Sequence, residues 1–129
     1  MTQQTLVLVI DDEADIRENL VAFLQLEGHR VAAVAHGQEG LRAMRAERPD
    51  LILCDVMMPH LNGFDMLAAM MADPALRDIP LLFLSASAEP EKLEEGLKMG
   101  ARGYITKPFN LLRLRELMAP FVAPGKDAG

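Results

Sequence analysis

The sequence predicts an α/β fold in which a five-stranded parallel sheet is covered by helices on both faces. Five short apolar segments alternate with five segments of helical periodicity. This alternation is typical of βα units that build a parallel sheet. Three of the apolar segments are almost continuously apolar, as expected for strands covered on both faces. The length of 129 residues fits one domain with its own hydrophobic core.

The predicted strands are short, and several are rich in β-branched residues. The first, third and fourth are the continuously apolar ones. In chain order the five segments are TLVLVI at 5–10, RVAAVA at 30–35, LILC at 51–54, PLLFLS at 80–85 and RGYIT at 102–106.

The predicted helices are recognised by signals at their ends and by apolar residues on one face. The first ends near Gly28, the second spans about 38–47 and stops before Pro49, and the fourth has Pro90 in its first turn. Asn110 is a candidate cap for the fifth. The inward residues are expected to be Ile16, Leu20, Phe23 and Leu24 in the first helix, Leu41 and Met44 in the second, Phe64, Leu67, Met70 and Met71 in the third, and Leu114, Leu117, Met118 and Phe121 in the fifth.

Composition narrows the class of protein. The net charge of -6 argues against broad nucleic-acid or membrane-surface binding, which needs a basic face. The single cysteine, Cys54, cannot form an intramolecular disulfide, which fits the reducing cytoplasm. The polar N-terminus shows no signal-peptide pattern, and no apolar run is long enough to span a bilayer. We therefore expect a cytoplasmic protein.

Polar residues stand at the ends of four of the five predicted strands. Because ligands bind at the carboxyl ends of the strands in such sheets, we expect these side chains to face one edge. An acidic cluster there would suit Mg²⁺, which prefers carboxylate oxygens. The residues are Asp11, Asp12 and Glu13 after the first strand, Asp55 after the third, Ser85 at the end of the fourth and Lys107 after the fifth.

Each of these residues also has an ordinary structural interpretation. Asp11 or Asp12 can cap the first helix, and Ser85 can cap the fourth. Asp55 can begin a turn, and Lys107 can be a solvated lysine before a proline. Four coincidences at one edge of the sheet are less probable than a functional site.

A metal site beside a carboxylate and a lysine is suited to phosphoryl transfer, in which a carboxylate can be the nucleophile. The chain has no glycine-rich phosphate loop after a strand, so it is not expected to bind a nucleotide as its own donor. The phosphoryl group should come from another molecule.

Four motifs resemble the receiver domain of two-component response regulators. They are VIDDE at 9–13, LILCDVMMPHLNGFD at 51–65, LSA at 84–86 and GARGYITKPF at 100–109. The resemblance runs from about Leu6 to Phe121. It implies a doubly wound, flavodoxin-like fold with strand order 2-1-3-4-5 and five flanking helices. It also implies a receiver domain at 1–122, followed by a flexible C-terminal tail at 123–129.

The resemblance implies a role for each site residue. Asp55 would accept a phosphoryl group from a sensor histidine kinase or a phosphotransfer protein. Asp12, Asp55 and the backbone carbonyl of Met57 would bind Mg²⁺ or Mn²⁺, and Asp11 would act through water. Lys107 would contact the acidic cluster and then the phosphoryl oxygens, and its peptide bond to Pro108 would be cis.

The resemblance also implies a switch. Ser85 would move toward the phosphoryl group, Tyr104 would turn inward, and the surface at about 89–121 would then bind a downstream protein or output domain. Such a chain is a phosphoacceptor signalling domain and not an enzyme in the usual sense, although it assists its own phosphorylation and dephosphorylation. It would bind neither nucleic acid nor membrane directly.

Two other classes of protein are alternatives to a receiver domain. A flavodoxin-like cofactor-binding protein would need a phosphate loop after the first strand, where the sequence has DDEAD. A small Mg²⁺-dependent phosphatase that forms an aspartyl-phosphate would need a DxD pattern at Asp55 and a cap domain. The chain has neither.

Overall fold

The computed structural model describes residues 4–58, 61–85 and 90–122. The predicted tail at 123–129 lies outside these residues. None of the described helices has the length and apolarity needed to cross a bilayer. The elements in chain order are β1 (Leu6–Ile10), α1 (Ala14–Leu26), β2 (Arg30–Val34), α2 (Gly37–Ala46), β3 (Leu51–Asp55), α3 (Gly63–Ala72), β4 (Leu81–Ser85), α4 (Pro90–Met99), β5 (Gly103–Thr106), α5 (Leu111–Met118) and a 3-10 turn (Ala119–Phe121).

The five strands form one parallel sheet in the order β2-β1-β3-β4-β5, which confirms the predicted topology. Every residue of β1, β3 and β4 is buried. The edge strands β2 and β5 are partly exposed. The three continuously apolar segments are therefore the three central strands, because only central strands are covered on both faces.

Alternate residues of the central strands build two separate hydrophobic cores. Val7 and Val9 of β1 face a core that α1 and α5 close, whereas Leu8 and Ile10 face a core closed mainly by α2 and α3. The period of two along a strand produces this division. Each face of the sheet is therefore covered by its own layer of helices.

Most helix ends follow the local signals in the sequence. Gly28 takes a φ of 91° just after α1, a conformation that glycine adopts without steric cost. Asn110 Oδ1 accepts hydrogen bonds from the backbone N–H groups of Leu112 and Arg113, so the predicted cap of α5 is present.

Three boundaries differ from the prediction. Helix α5 ends at Met118 instead of continuing through Phe121, because Pro120 has no N–H to donate to the preceding turn. Helix α2 begins and ends one residue earlier than expected. Asp55 is the last residue of β3, where it pairs in register with Leu84, and does not follow the strand.

The inward faces of the helices are largely as predicted. Leu20, Leu24, Leu67, Leu114 and Met118 are all buried. In α3 the prediction was incomplete. There the fully buried residues also include Met66, whereas Phe64 and Met71 are only half-buried and pack at the edge of the core.

Candidate functional site

The topology brings three charged residues to the carboxyl edge of the sheet. Asp11 directly follows β1 and Asp55 ends β3, and these two strands are neighbours. Lys107 directly follows β5. Residues far apart in the chain therefore meet where the helices leave the sheet, as is general for parallel α/β folds.

Three carboxylates form an acidic cluster at this edge. One oxygen from each of Asp11, Asp12 and Asp55 can be chosen so that all three lie within 4.8 Å of one another. Asp11 and Asp55 are buried, and Asp12 is half-buried. Like charges this close repel strongly when water is excluded, so the cluster requires a positive partner.

Lys107 supplies part of that positive charge. Its Nζ lies 3.0 Å from Asp11 Oδ2, 3.2 Å from Asp55 Oδ2 and 3.0 Å from Glu13 Oε1. The lysine side chain is only 8% exposed. Three carboxylates thus contact one ammonium group, and Asp12 lies close by, so the pocket keeps an excess of negative charge.

The surroundings shift the pKa values of the pocket. Burial and the negative charge of Asp11 raise the pKa of Asp55 to about 6, although Lys107 opposes this shift. Burial alone would lower the pKa of Lys107, but its contacts with Glu13, Asp11 and Asp55 outweigh burial and raise it. Burial raises the pKa of the nearby Cys54 thiol, so Cys54 is a neutral core residue.

The loop between β1 and α1 is held by local hydrogen bonds. Asp11 Oδ1 accepts the N–H of Glu13 at 2.9 Å, and Arg17 Nη1 donates to the Asp11 carbonyl at 2.8 Å. The N-cap of α1 is Glu13, whose side chain makes no capping bond. The capping interpretation of Asp11 and Asp12 is therefore wrong, and both carboxylates belong to the pocket.

The described residues on either side of 59–60 lie close to the end of β3. The Met57 N–H donates to Asp55 Oδ1 at 3.3 Å, and Met57 is 67% exposed. Gly63 N–H donates to the Val56 carbonyl at 2.8 Å. A Cβ on Gly63 would lie 2.6 Å from the Asp55 carbonyl oxygen, so this close approach requires glycine. His60 lies outside the described residues.

Ser85 and Tyr104 occupy different positions relative to the pocket. Ser85 ends β4 and is buried, and its carbonyl accepts the Lys107 N–H at 2.7 Å. Tyr104 lies on the edge strand β5, pairs in register with Phe83, and is 39% exposed. The Lys107–Pro108 peptide bond is cis. Ser85 thus lies at the same edge of the sheet as the acidic cluster, whereas Tyr104 is partly exposed on the edge strand.

Two residues near the site, Arg17 and Gly63, were not predicted to contribute to it, and Glu13 was expected at this edge of the sheet without a specific partner. The sequence did contain a signal for Glu13, since it directly follows two aspartates at a strand end. For Arg17, only its place as the first basic residue after those carboxylates pointed to the site. Nothing local indicated that Gly63 would lie against the Asp55 backbone.

The acidic pocket has the ligand atoms that a hard divalent cation prefers. Asp11 Oδ2 is buried and accepts no hydrogen bond of good geometry among the described residues, although the Lys107 ammonium is close to it. Buried oxygens of this kind normally have a partner. Carboxylates with no histidine or thiolate among them suit Mg²⁺ or Mn²⁺ better than Zn²⁺. The acidic cluster can therefore accommodate such an ion.

Known proteins with similar sequences are response regulators. The chain is 37% identical over 118 residues to the DNA-binding response regulator MtrA of Mycobacterium tuberculosis, covering 92% of this chain and 49% of MtrA. It is 36% identical over 123 residues to the phosphate regulon transcriptional regulatory protein PhoB of Pseudomonas aeruginosa, covering 95% of this chain and 52% of PhoB. The chain thus spans about half the length of these two relatives.

Solved structures agree with this result. The Vibrio cholerae chemotaxis protein CheY4 superposes with a TM-score of 0.87 at 33% identity, covering 93% of this chain and 100% of that one. The response regulator receiver domain model matches residues 7–119, which include the carboxylates of the pocket and Lys107. The chain therefore belongs to the receiver domain family of two-component response regulators.

Proposed function

We propose that this domain accepts a phosphoryl group on Asp55 and thereby changes a surface that binds another protein. The observation that carries the proposal is the position of the Asp55 carboxylate. It is buried at the end of β3, beside the Asp11 and Asp12 carboxylates, with the Lys107 ammonium 3.2 Å from Oδ2. Membership of the receiver family supports the same role.

The donor would be a phosphohistidine of a sensor histidine kinase or a phosphotransfer protein. An Asp55 carboxylate oxygen attacks phosphorus, the phosphorus–nitrogen bond breaks, and its electron pair stays on the imidazole ring. A pKa of about 6 leaves most of Asp55 ionised near neutral pH while making it more basic than an ordinary aspartate. The described strands and helices place no glycine-rich phosphate loop at the site, so the phosphoryl group comes from another molecule.

A divalent ion, Mg²⁺ or Mn²⁺, would be held by Asp12, Asp55 and the Met57 carbonyl, with Asp11 acting through water. When bound, it supplies positive charge to the oxygens of the transferring group. The protein's own contribution is to orient Asp55 through the Met57 N–H and to exclude bulk water. Lys107 keeps its ammonium beside Asp55, where a second positive charge can stabilise the same oxygens.

The switch would begin at Ser85. The phosphoryl group adds negative charge and acceptor oxygens next to the end of β4, so the Ser85 hydroxyl and the Lys107 ammonium gain a new partner. Movement of Ser85 makes room for Tyr104 to turn inward from its partly exposed position on β5. The change in surface would then centre on 89–121, of which Glu89 lies outside the described residues.

The domain would act in the cytoplasm. It would be a signalling module and not an enzyme in the usual sense, because phosphorylation changes its surface and releases no small-molecule product of its own. A downstream protein or output domain would read that surface. Neither alternative class is favoured by an observation. A cofactor phosphate would be repelled by the carboxylates after β1, and family membership does not indicate a phosphatase.

The test is incubation with acetyl phosphate and Mg²⁺, followed by intact mass measurement. Wild-type protein should gain one phosphoryl group, and Asp55→Asn should gain none. Asp65→Asn is the matched control, because Asp65 is an exposed carboxylate in the first turn of α3. Full labelling of Asp55→Asn, or equal loss in both variants, would contradict the assignment.

A further inference from the structure

The Lys107 ammonium has a third carboxylate partner besides the two aspartates. Glu13 Oε1 lies 3.0 Å from Nζ, as close as Asp11 Oδ2 and closer than Asp55 Oδ2. An ammonium group has three N–H donors. Two of these donors hydrogen-bond to Glu13 and Asp55, and Asp11 is in ion-pair contact with the same ammonium group. An oxygen that newly approaches Lys107 therefore competes with carboxylates that already surround it.

The three partners differ in how freely they can leave. The Asp11 side chain is fully buried and also accepts the Glu13 N–H, and the Asp55 side chain is 4% exposed. The Glu13 side chain is 55% exposed. Its carboxylate makes no bond to the start of α1, so it can rotate into water without breaking a helix cap. Glu13 is the partner that is easiest to displace.

We propose that Glu13 is an exchangeable partner of Lys107, which holds the ammonium before phosphorylation and releases it to the phosphoryl oxygens afterwards. This inference rests on the proposed function, in which the phosphoryl group is bound to Asp55. Glu13 acts through Lys107 and does not touch the reacting atoms, so it is a positioning residue.

The sign of the effect follows from the two states. Glu13 stabilises the unphosphorylated site through its contact with Lys107, and it repels the anionic phosphoryl group when that group arrives. A group that favours the starting state over the product opposes the change. Removal of the Glu13 charge should therefore make phosphorylation faster and the binding of a phosphoryl mimic tighter.

The opposite result would be expected if Glu13 were needed to orient Lys107. The lysine side chain is 8% exposed, and it keeps two buried carboxylate partners without Glu13. Its position is thus set mainly by burial and by Asp11 and Asp55. Loss of Glu13 should free one donor without displacing the ammonium.

The experiment compares wild type, Glu13→Gln and Asp15→Asn at Mg²⁺ concentrations that saturate each protein. Asp15 is an exposed carboxylate in the first turn of α1, so its variant removes the same charge from the same helix end. Beryllofluoride binding is followed by fluorine NMR, and the rate of labelling by acetyl phosphate is followed by mass. Thermal unfolding checks that each variant is folded.

Glu13→Gln should bind beryllofluoride about two- to fivefold more tightly and label faster by a similar factor, as expected for loss of one partly exposed ion pair. Asp15→Asn should stay close to wild type. NMR of the lysine ammonium groups gives an independent readout, since the Lys107 signal should broaden in Glu13→Gln before beryllofluoride is added and recover afterwards.

Slower labelling and weaker beryllofluoride binding in Glu13→Gln would overturn the inference, as would equal changes in Glu13→Gln and Asp15→Asn. If the wild type is fully labelled, and Glu13→Gln has the same labelling rate and beryllofluoride affinity, the inference about Glu13 is overturned. The proposed function would remain intact. Absence of any labelling in the wild type would instead reject the proposed function, and the inference with it.

Discussion

Lys107 and Asp55 are separated by 52 residues in the chain, yet Lys107 Nζ lies 3.2 Å from Asp55 Oδ2. The contact joins the end of the edge strand β5 to the end of the central strand β3, across the intervening strand β4. It places the Lys107 ammonium against the carboxylate with the raised pKa.

Asp12→Asn should weaken Mg²⁺ affinity by on the order of tenfold, because it removes one charged ligand oxygen from the acidic cluster. Titration calorimetry measures the affinity directly. Asp15→Asn, which removes an exposed carboxylate three residues later, should bind Mg²⁺ nearly as wild type does. Equal affinity of wild type and Asp12→Asn would contradict the metal site.

Metal-free protein should lose stability as the pH rises through the titration of Asp55. The pKa of Asp55 is about 6 in the folded protein, compared with an ordinary value of 3.8. Because the folded state binds this proton more tightly, the contribution of Asp55 is present below about pH 4 and lost as the pH rises through about 6. Lys107 stays charged over this range, since its pKa is raised.

Urea unfolding of wild type and Asp55→Asn at about pH 4.5 and about pH 7.5 measures this effect. The difference in the free energy of unfolding, wild type minus variant, should be smaller at about pH 7.5 than at about pH 4.5. The subtraction cancels the contributions of carboxylates that lie far from Asp55. Carbon NMR of the Asp55 carboxyl gives its pKa directly, and a value at or below 3.8 would contradict the prediction.

Gly63→Ala should destabilise the protein by about 1–3 kcal/mol and slow labelling of Asp55. Its Cβ would lie 2.6 Å from the Asp55 carbonyl oxygen and 3.0 Å from the Phe83 ring, so the loop must move away from the site. Thermal or urea unfolding measures the loss.

Gly40→Ala is the control for that experiment. Its Cβ would meet the tip of the Ile10 side chain at 2.5 Å, and a side-chain tip can rotate where a backbone carbonyl cannot. Alanine also favours the interior of α2 more than glycine does. A loss for Gly40→Ala as large as that for Gly63→Ala would show that the contact with the Asp55 backbone is not decisive.

Ser85→Ala should still be labelled at Asp55 but should respond less. The hydroxyl at the end of β4 is the proposed link between the phosphoryl group and Tyr104 on β5. Amide exchange with and without beryllofluoride should show changes at 90–121 in wild type and smaller changes in Ser85→Ala. Changes centred on α1 and α2, with 90–121 unaffected, would contradict the proposed output surface.

The sequence by itself determined the class of the fold and the edge where the site lies. Continuous apolar runs identified β1, β3 and β4 as strands covered on both faces, because a parallel strand between two helix layers has no exposed face. Polar residues at strand ends then predicted the acidic cluster at Asp11, Asp12 and Asp55. Local signals such as Asn110 also predicted where helices begin.

Only the tertiary structure decided which groups are in contact. That Glu13 reaches Lys107, and that Gly63 lies against the Asp55 backbone, depends on distances between segments that no local pattern encodes. The raised pKa of Asp55 likewise needs the burial and the charge that folding creates. Periodicity in a sequence reports which side of an element is buried, whereas contact between side chains depends on how the layers pack.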